Sequence, residues 1–306
     1  NKNVKTKVYE PDWRSSERRI YTIKLIDILT KLLPDNLTGS ISTVPASYSA
    51  WIKSNEDILL IAENLAHCAW HCFLVKERTG KTIRIGLEPE PDCLIENTRQ
   101  SIAFFKNILF RETPSLLVKK KKISRNKAEE IIREHIGICF DTCHIAVQFE
   151  DLRASLWEIT GAGINISKVQ ISAALKVFPE SVLVVKTLKK FLDSIYLHQI
   201  KFRSTKNIFT GGYPDMTPSL LELTHPKVEW RIHFHVPLYF IGSDLIKTTS
   251  GDISNGFLHD AVKNGIDHFE IETYTFGVLP EKMRREGVVS NIIKEYRWVI
   301  NKFDNI

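Results

Sequence analysis

Ile136-Gly137-Ile138-Cys139-Phe140-Asp141-Thr142-Cys143-His144 decides how the rest of the chain is read. A short run of apolar and small residues leads straight into a carboxylate, and an imidazole follows three positions later. So short a run, closed by polar residues, fits a buried strand better than a helix. Upstream, Thr82-Ile83-Arg84-Ile85-Gly86-Leu87 repeats the form and ends in Glu88-Pro89-Glu90-Pro91. Downstream, 167–172 carries Gln170, 229–235 carries His233 and His235, and 268–272 closes on Glu272. With 39–43, six strands are expected.

Between these runs the apolar period lengthens to that of a helix. The first helix, about 15–33, is expected to bury Tyr21, Leu25, Ile28, Leu29 and Leu32 and to stop at Pro34. The second, about 55–78, opens on Ser54 and Asp57 in capping-box positions and ends at Gly80. Further helices are read near 98–111, 125–134, 151–159, 179–191 and 255–263, with a last one running to Phe303. The turn-rich segment 196–218, containing Gly211-Gly212-Tyr213-Pro214-Asp215, reads as an excursion. Apolar strands alternating with helices indicate parallel strands joined by crossover helices. No strand leads into a Gly-x-Gly-x-x-Gly turn, which argues against a dinucleotide-binding unit. Only a barrel brings all the polar strand ends to one mouth. The expected fold is therefore an α/β barrel, a single domain over 1–306 with 196–218 passing over it.

The chain has 306 residues, 43% hydrophobic and 25% charged, an ordinary globular composition. Its net charge of +6 is compatible with anionic partners without requiring one. The sequence has no uninterrupted apolar run of about 18 residues, so no membrane insertion is expected. Residues 1–7 are polar and basic, without the apolar core of a secretory signal. Five cysteines without framework spacing suit a reducing compartment, cytoplasm or an organelle stroma.

The candidate site residues are Glu88, Asp141, His144, Gln170, His235 and Glu272, all at strand ends. Carboxylate oxygen and imidazole nitrogen suit a divalent ion such as Mn, Mg, Co or Zn. Each also has a plainer reading: Glu88 as a loop cap, Asp141 as a helix cap, Gln170 as a buried amide satisfied by its neighbours. His233 and His235 share one strand face, and only His235, nearer the end, is expected to reach the site. Glu270 lies deeper, as a barrel-interior charge. His67-Cys68 and His71-Cys72 imitate a zinc pair, but the cysteines fall on the apolar seam Ile58, Ile61, Leu65, Cys68, Cys72, Val75 and read as core. The basic run 119–122 reads as a solvated loop, so nucleic acid is not an expected partner.

Ile85-Gly86-Leu87-Glu88-Pro89, Phe140-Asp141-Thr142-Cys143-His144, Lys168-Val169-Gln170-Ile171-Ser172, His233-Phe234-His235 and Glu270-Ile271-Glu272-Thr273 together resemble the strand-end signatures of the xylose-isomerase-like TIM (β/α)8 barrels. That superfamily includes sugar isomerases, epimerases and endonuclease IV-type nucleases. More narrowly, Val8-Tyr9-Glu10-Pro11-Asp12-Trp13, 39–43, 87–91, 196–199, 233–238 and 270–275 resemble the EboE family, barrel proteins of the ebo gene cluster associated with metabolite traffic. The resemblance implies about six βα units here, with two earlier units, roughly 60–90 residues, preceding Val8. It implies Glu88, Asp141, Gln170 and Glu272 as metal ligands, with Gln170 standing where the superfamily usually has His. It implies Glu88, Glu272 and His144 as the catalytic groups and His235 and His198 as substrate contacts. A small polar metabolite is the implied ligand, with other ebo-cluster proteins as possible partners. The nuclease pattern needs a His after the first strand read here, where Ser42-Thr43-Val44-Pro45 has none. Two readings stay open: a metal-dependent isomerase or epimerase, and a non-catalytic metabolite-handling protein.

Overall fold

The computed structural model describes residues 4–193, 195–204, 206, 210–223, 228–276 and 281–305. Positions 205 and 207–209 of the expected excursion lie outside them. The first half runs α1 (Ser16–Leu32), β1 (Gly39–Thr43), α2 (Asn55–Thr79), β2 (Ile83–Leu87), α3 (Thr98–Phe104), α4 (Thr113–Lys121) and α5 (Arg125–His135). Then come β3 (Ile136–Asp141), α6 (Thr142–Val147), α7 (Leu152–Gly161) and β4 (Ile166–Ile171). The second half begins β5 (Leu175–Val177), α8 (Val182–Leu188), β6 (Ile200–Ser204), β7 (Thr210–Tyr213), β8 (Val228–Ile232) and β9 (Lys247–Thr248). It closes with α9 (Asn255–Lys263), β10 (Phe269–Ile271), α10 (Glu281–Arg284) and α11 (Val288–Phe303).

Two five-stranded sheets result. One is parallel, in the order β1-β2-β3-β4-β10, and the other antiparallel, β7-β6-β8-β5-β9. The parallel sheet curls: Ser40 Oγ on the edge strand β1 lies 2.8 Å from His268 Nδ1, just ahead of β10 at the opposite edge. It is half a barrel. Its register and two-residue alternation put Ile83, Ile85, Leu87, Ile138, Phe140, Val169 and Ile171 on the helix-facing side. Arg84, Cys139, Lys168, Gln170 and Glu270 fall on the concave side, where Lys168 Nζ meets Glu270 Oε2 at 2.7 Å. The strands are thus apolar on one face only. Gly137 is required at the β3–β4 bulge, because a Cβ there would stand 2.4 Å from the Asn165 carbonyl oxygen.

The expectation of six parallel strands is corrected to five. The run read as 229–235 is β8, ends at Ile232, and pairs antiparallel with β5 and β6. Val228, Trp230 and Ile232 alternate with Glu229 and Arg231, which pair with each other at 2.9 Å. The parallel strand β4 alternates in the same way, so it is the pairing with β5 and β6 that sets β8 apart. The segment 196–218 contributes β6 and β7 to this second sheet.

Helix α2 is the central core helix. Ile61, Leu65, Cys68, Cys72 and Val75 are fully buried, and the Ser54–Asp57 capping box starts the helix as expected. It is long and apolar enough to cross a membrane by composition, and half of that stretch is buried within the fold. The expected face of α1 is corrected: Tyr21, Ile28 and Leu32 are exposed, while Thr22, Ile26 and Thr30 are buried. Ile20, Ile23, Leu25 and Ile26 spread apolar groups around α1, so spacing did not single out one side. Lys119, Lys120 and Lys121 form the last turn of α4 instead of a loop, where cations meet the negative end of the helix dipole.

Candidate metal centre

Three carboxylates converge beyond the C-terminal ends of the parallel strands. β2 ends at Leu87 and presents Glu88, β3 ends in Asp141, and β10 ends at Ile271 and presents Glu272. One oxygen from each lies within 4.8 Å of the others. The turn into α6 holds Asp141: its Oδ1 accepts the His144 backbone N–H at 2.8 Å and the Ser172 hydroxyl at 2.8 Å. Asp141 Oδ2 and Glu272 Oε2 are buried, and among the described residues no nitrogen or hydroxyl donates to either. Two buried carboxylates side by side are costly, and either a proton on Glu272 shared with Asp141 or a cation relieves them.

The electrostatics separate these three groups. Burial pushes Glu88 well above the ordinary carboxylate range, aided by the charges of Glu272, Asp141 and Glu90. Burial and neighbouring Asp141 push Glu272 up to about 9. Burial also acts upward on Asp141, but His144, His235 and its two hydrogen bonds outweigh it and hold Asp141 below the ordinary value. Asp141 is thus the group most readily ionised, and Glu272 keeps its proton at neutral pH.

Beside this group lies a second one of three buried histidines. His144 comes from α6, and His233 and His235 follow the end of β8. Their Nε2 atoms face one another: His144 to His233 at 2.9 Å, His233 to His235 at 3.2 Å, His235 to His144 at 3.4 Å. Each opposite nitrogen, Nδ1, faces an oxygen. For His144 it is the Pro89 carbonyl at 3.0 Å, for His233 the Gln199 amide oxygen at 2.9 Å, and for His235 the Glu272 carbonyl at 3.2 Å. Burial, then the neighbouring imidazoles, hold His233 well below the ordinary value. Burial lowers His235 to about 4, although Asp141 pulls the other way. Both are neutral at physiological pH.

The expectation that only His235 reaches the site is corrected, since His233 stands in the same cluster. The two project together because the backbone has left β8 by then and crosses toward the parallel sheet. Val236 N–H donates to Ala173, and Thr275 N–H donates to His235. Gln170 turns its amide oxygen toward Cys139 Sγ, 2.8 Å away. His198 stacks on Phe234 at 3.8 Å between ring centres and donates from Nδ1 to the His233 carbonyl at 2.9 Å. It lines a cavity of about 360 Å³ with Phe191, Tyr274 and Thr275, and Tyr274 stacks on His235.

Sequence reasoning missed Glu90, Gln199 and Tyr9. Tyr9 donates to Glu90 Oε1 at 2.7 Å, and Gln199 Nε2 donates to the Tyr9 hydroxyl at 2.9 Å and to the Pro91 carbonyl at 3.2 Å. The Pro91 contact fixes the Gln199 amide with its oxygen toward His233. Glu90 lies two residues beyond Glu88 in Glu-Pro-Glu-Pro, and the repeat was its available signal. Nothing local marked Gln199 or Tyr9, which are joined across 190 positions of sequence.

No protein-family model matches the chain, and no curated protein does. Among solved structures, the chain is similar to a crystal structure of the IolI protein with a zinc atom bound. The identity is 13%, the TM-score 0.30, and the match covers 50% of this chain and 44% of that one. The matched part therefore spans less than half the length of that protein.

Proposed function

We propose that the mouth of the half-barrel is a divalent-metal site that isomerises or epimerises a small polar metabolite within a xylose-isomerase-like barrel. The observation that supports this reading is the convergence of Glu88, Asp141 and Glu272 within 4.8 Å, with two of their buried oxygens receiving no nitrogen or hydroxyl donor among the described residues. Oxygen donors flanked by imidazoles suit Mn, Mg, Co or Zn. Glu88, Asp141 and Glu272 would hold such an ion, with Gln170 as the fourth ligand if its amide turns from Cys139. When bound, the ion supplies Lewis-acid polarisation of the substrate's carbonyl and hydroxyl oxygens.

The proton traffic belongs to the chain's own carboxyls. Glu88 and Glu272 are both displaced upward from the ordinary carboxylate range. A bound divalent ion would draw both back toward the ionised form, so that either carboxylate could accept a proton and return it. One takes the proton from the carbon beside the carbonyl, and the other delivers it. His198, Tyr274 and Thr275 line the neighbouring cavity in which the rest of the metabolite would lie. The cavity falls within the usual few-hundred-Å³ range of small-molecule sites.

The test is carbon-bound deuterium incorporation from D2O into a panel of aldoses, ketoses and their phosphates, with Mn or Co supplied. Exchange that disappears in Glu272→Gln supports the reading. Binding of a panel member without exchange overturns it and favours a non-catalytic, metabolite-handling role of the kind the EboE resemblance implies. The turn of Gln170 toward Cys139, in place of an imidazole facing the carboxylates, favours that second reading.

A further inference from the structure

Asp193 and His198, which line the cavity of about 360 Å³ beside the strand ends, form a pair that the fold leaves incomplete. Lys5 anchors the turn that carries Asp193: its Nζ reaches the Asp193 and Tyr196 carbonyls at 3.0 and 2.9 Å and the Asp215 carboxylate at 2.6 Å. Asp193 Oδ1 accepts the Ile195 backbone N–H at 2.6 Å. Oδ2 is left over, and among the described residues no lysine or arginine pairs with this carboxylate. Burial acts upward on Asp193, but the Ile195 and Tyr196 N–H groups outweigh it and hold the carboxyl below its ordinary value. Asp193 is an anion.

His198 donates from Nδ1 to the His233 carbonyl at 2.9 Å, which leaves Nε2 as an acceptor. That Nε2 is buried without a hydrogen-bond partner and stands 3.6 Å from Asp193 Oδ2, beyond hydrogen-bond reach. Burial lowers His198, although the His233 carbonyl and Asp193 pull the other way. Two acceptors thus face each other with no hydrogen between them. Thr275 Oγ1, from a third residue lining the cavity, is also buried without a partner.

Whatever fills this space must bring donors. A ligand hydroxyl carries one hydrogen and serves one acceptor. An ammonium carries three, together with a charge that the Asp193 carboxylate neutralises. The walls agree with a cation, because aromatic faces attract one. Phe191 and Phe234 meet edge to face at 5.5 Å, and Tyr274 completes the aromatic lining. Lys190 also lines the cavity, but it is exposed and free to extend into solvent.

We propose that this cavity selects metabolites carrying a primary amino group, with the ammonium held by the Asp193 carboxylate, His198 Nε2 and Thr275 Oγ1. The inference rests on the reading that the metabolite lies in this cavity, and it requires neither a metal nor turnover.

The test titrates the intact protein, without added metal, with glucosamine, N-acetylglucosamine, glucose, glucose 6-phosphate and the minimal amine ethanolamine, followed by ligand-observed NMR. Glucosamine should bind roughly 10–100-fold more tightly than glucose, the usual worth of a hydrogen bond to a charged group. N-acetylglucosamine, whose amide carries no charge, should lose that advantage. Asp193→Asn retains an acceptor for the Ile195 N–H and should remove most of the preference, and Thr275→Val should reduce it by a smaller factor. Should Asp193→Asn fail to fold, by circular dichroism, Thr275→Val and the wild-type ratio of glucosamine to glucose decide. Equal affinities for glucosamine and glucose overturn the inference, and so does a preference that survives Asp193→Asn. Absence of binding by both glucosamine and ethanolamine overturns it as well. Glucose 6-phosphate bound best, and weakened in Lys190→Ala, would mean that the cavity reads an anion, and the inference falls. Deuterium exchange into neutral sugars without any amine preference sinks only this inference. Amine-selective binding without exchange sinks only the isomerase reading.

Discussion

Most of the parallel sheet is built from strands of five or six residues, whereas the antiparallel sheet includes strands as short as Lys247–Thr248, and only the parallel sheet was anticipated. In the parallel sheet β2, β3 and β10 each end at a carboxylate of the site, so the chain direction itself points at the mouth. In the antiparallel sheet β8 runs into the same mouth, but β6 and β7 serve to position it. The first sheet delivers carboxylates and the second delivers imidazoles, with His144 of α6 joining the two. A centre with mixed donors thus arises where two sheets of different type meet. Neither sheet holds it alone.

That division can be broken by experiment. The largest expected effect is from Asp141→Ala, which removes the carboxylate grouped both with Glu88 and Glu272 and with His144 and His235. Loss of divalent-ion affinity should exceed the roughly 10–100-fold typical of outer-sphere changes. Calorimetric titration with Mn and Zn measures it, and wild-type affinity in the variant would mean that the two sheets do not share a site.

Acid–base behaviour should separate the sheets next. Glu272, raised to about 9, keeps its proton in the folded metal-free chain after an unfolded glutamate has lost it. The folded state is then favoured at low pH, and this contribution declines as pH rises from about 4.5 to about 9. His235, lowered to about 4, has the opposite sign. Its contribution is present above the unfolded value of about 6.5 and is lost as pH falls toward about 4. Thermal midpoints of the metal-free protein should therefore fall from pH 6.5 to 9, and Glu272→Gln should flatten that limb. His235→Asn should change only the acid side. An unchanged alkaline slope in Glu272→Gln would contradict the assignment of the burial cost to that residue.

A smaller contrast concerns close strand approach. Gly137→Ala in β3 drives a methyl against backbone at 2.4 Å, whereas Gly211→Ala in β7 meets the far end of the Phe202 ring at 2.5 Å. The first neighbour cannot give way and the second can swing. Denaturant unfolding should show a loss of about 1–3 kcal/mol for Gly137→Ala and a smaller one for Gly211→Ala. Equal losses would mean that the antiparallel sheet is as rigid as the parallel one.

The smallest effect is expected far from both sheets' ends. His71 pairs with Asp27 at 2.7 Å on the surface of α2, while burial pushes the Cys68 thiol up to about 12. His71→Gln should cost under about 1 kcal/mol, as surface ion pairs generally do. Metal content measured by elemental analysis should not change. A drop would reinstate the zinc-like spacing of 67–72 that the buried seam argues against.

Much of the parallel half was legible because its information is local. The runs 83–87 and 136–141 announce strands by length and composition, and Glu88, Asp141 and Glu272 are marked by standing where an apolar run stops. The α2 seam was legible for the same reason, since one long helix shows its period clearly. α1 was not: apolar residues surround it, and which side is buried depends on where α2 lies. β8 was not legible either: β4 alternates apolar and polar residues in the same way, and the polar ending His233-Phe234-His235 imitated a barrel strand's end.

What the sequence determined by itself, then, is the five strands of the parallel sheet, the helices between most of them, and the carboxylates at three of their ends. These depend on period and chain direction, which are properties of consecutive residues. Tertiary structure alone decided that β8 leaves the parallel sheet, that both His233 and His235 turn inward, and that Pro89, Gln199 and Glu272 oxygens fix all three imidazoles in one tautomer. A tautomer is set by whichever oxygen faces the ring. For His144, His233 and His235 those oxygens lie 55, 34 and 37 positions away along the chain, beyond the reach of any local pattern.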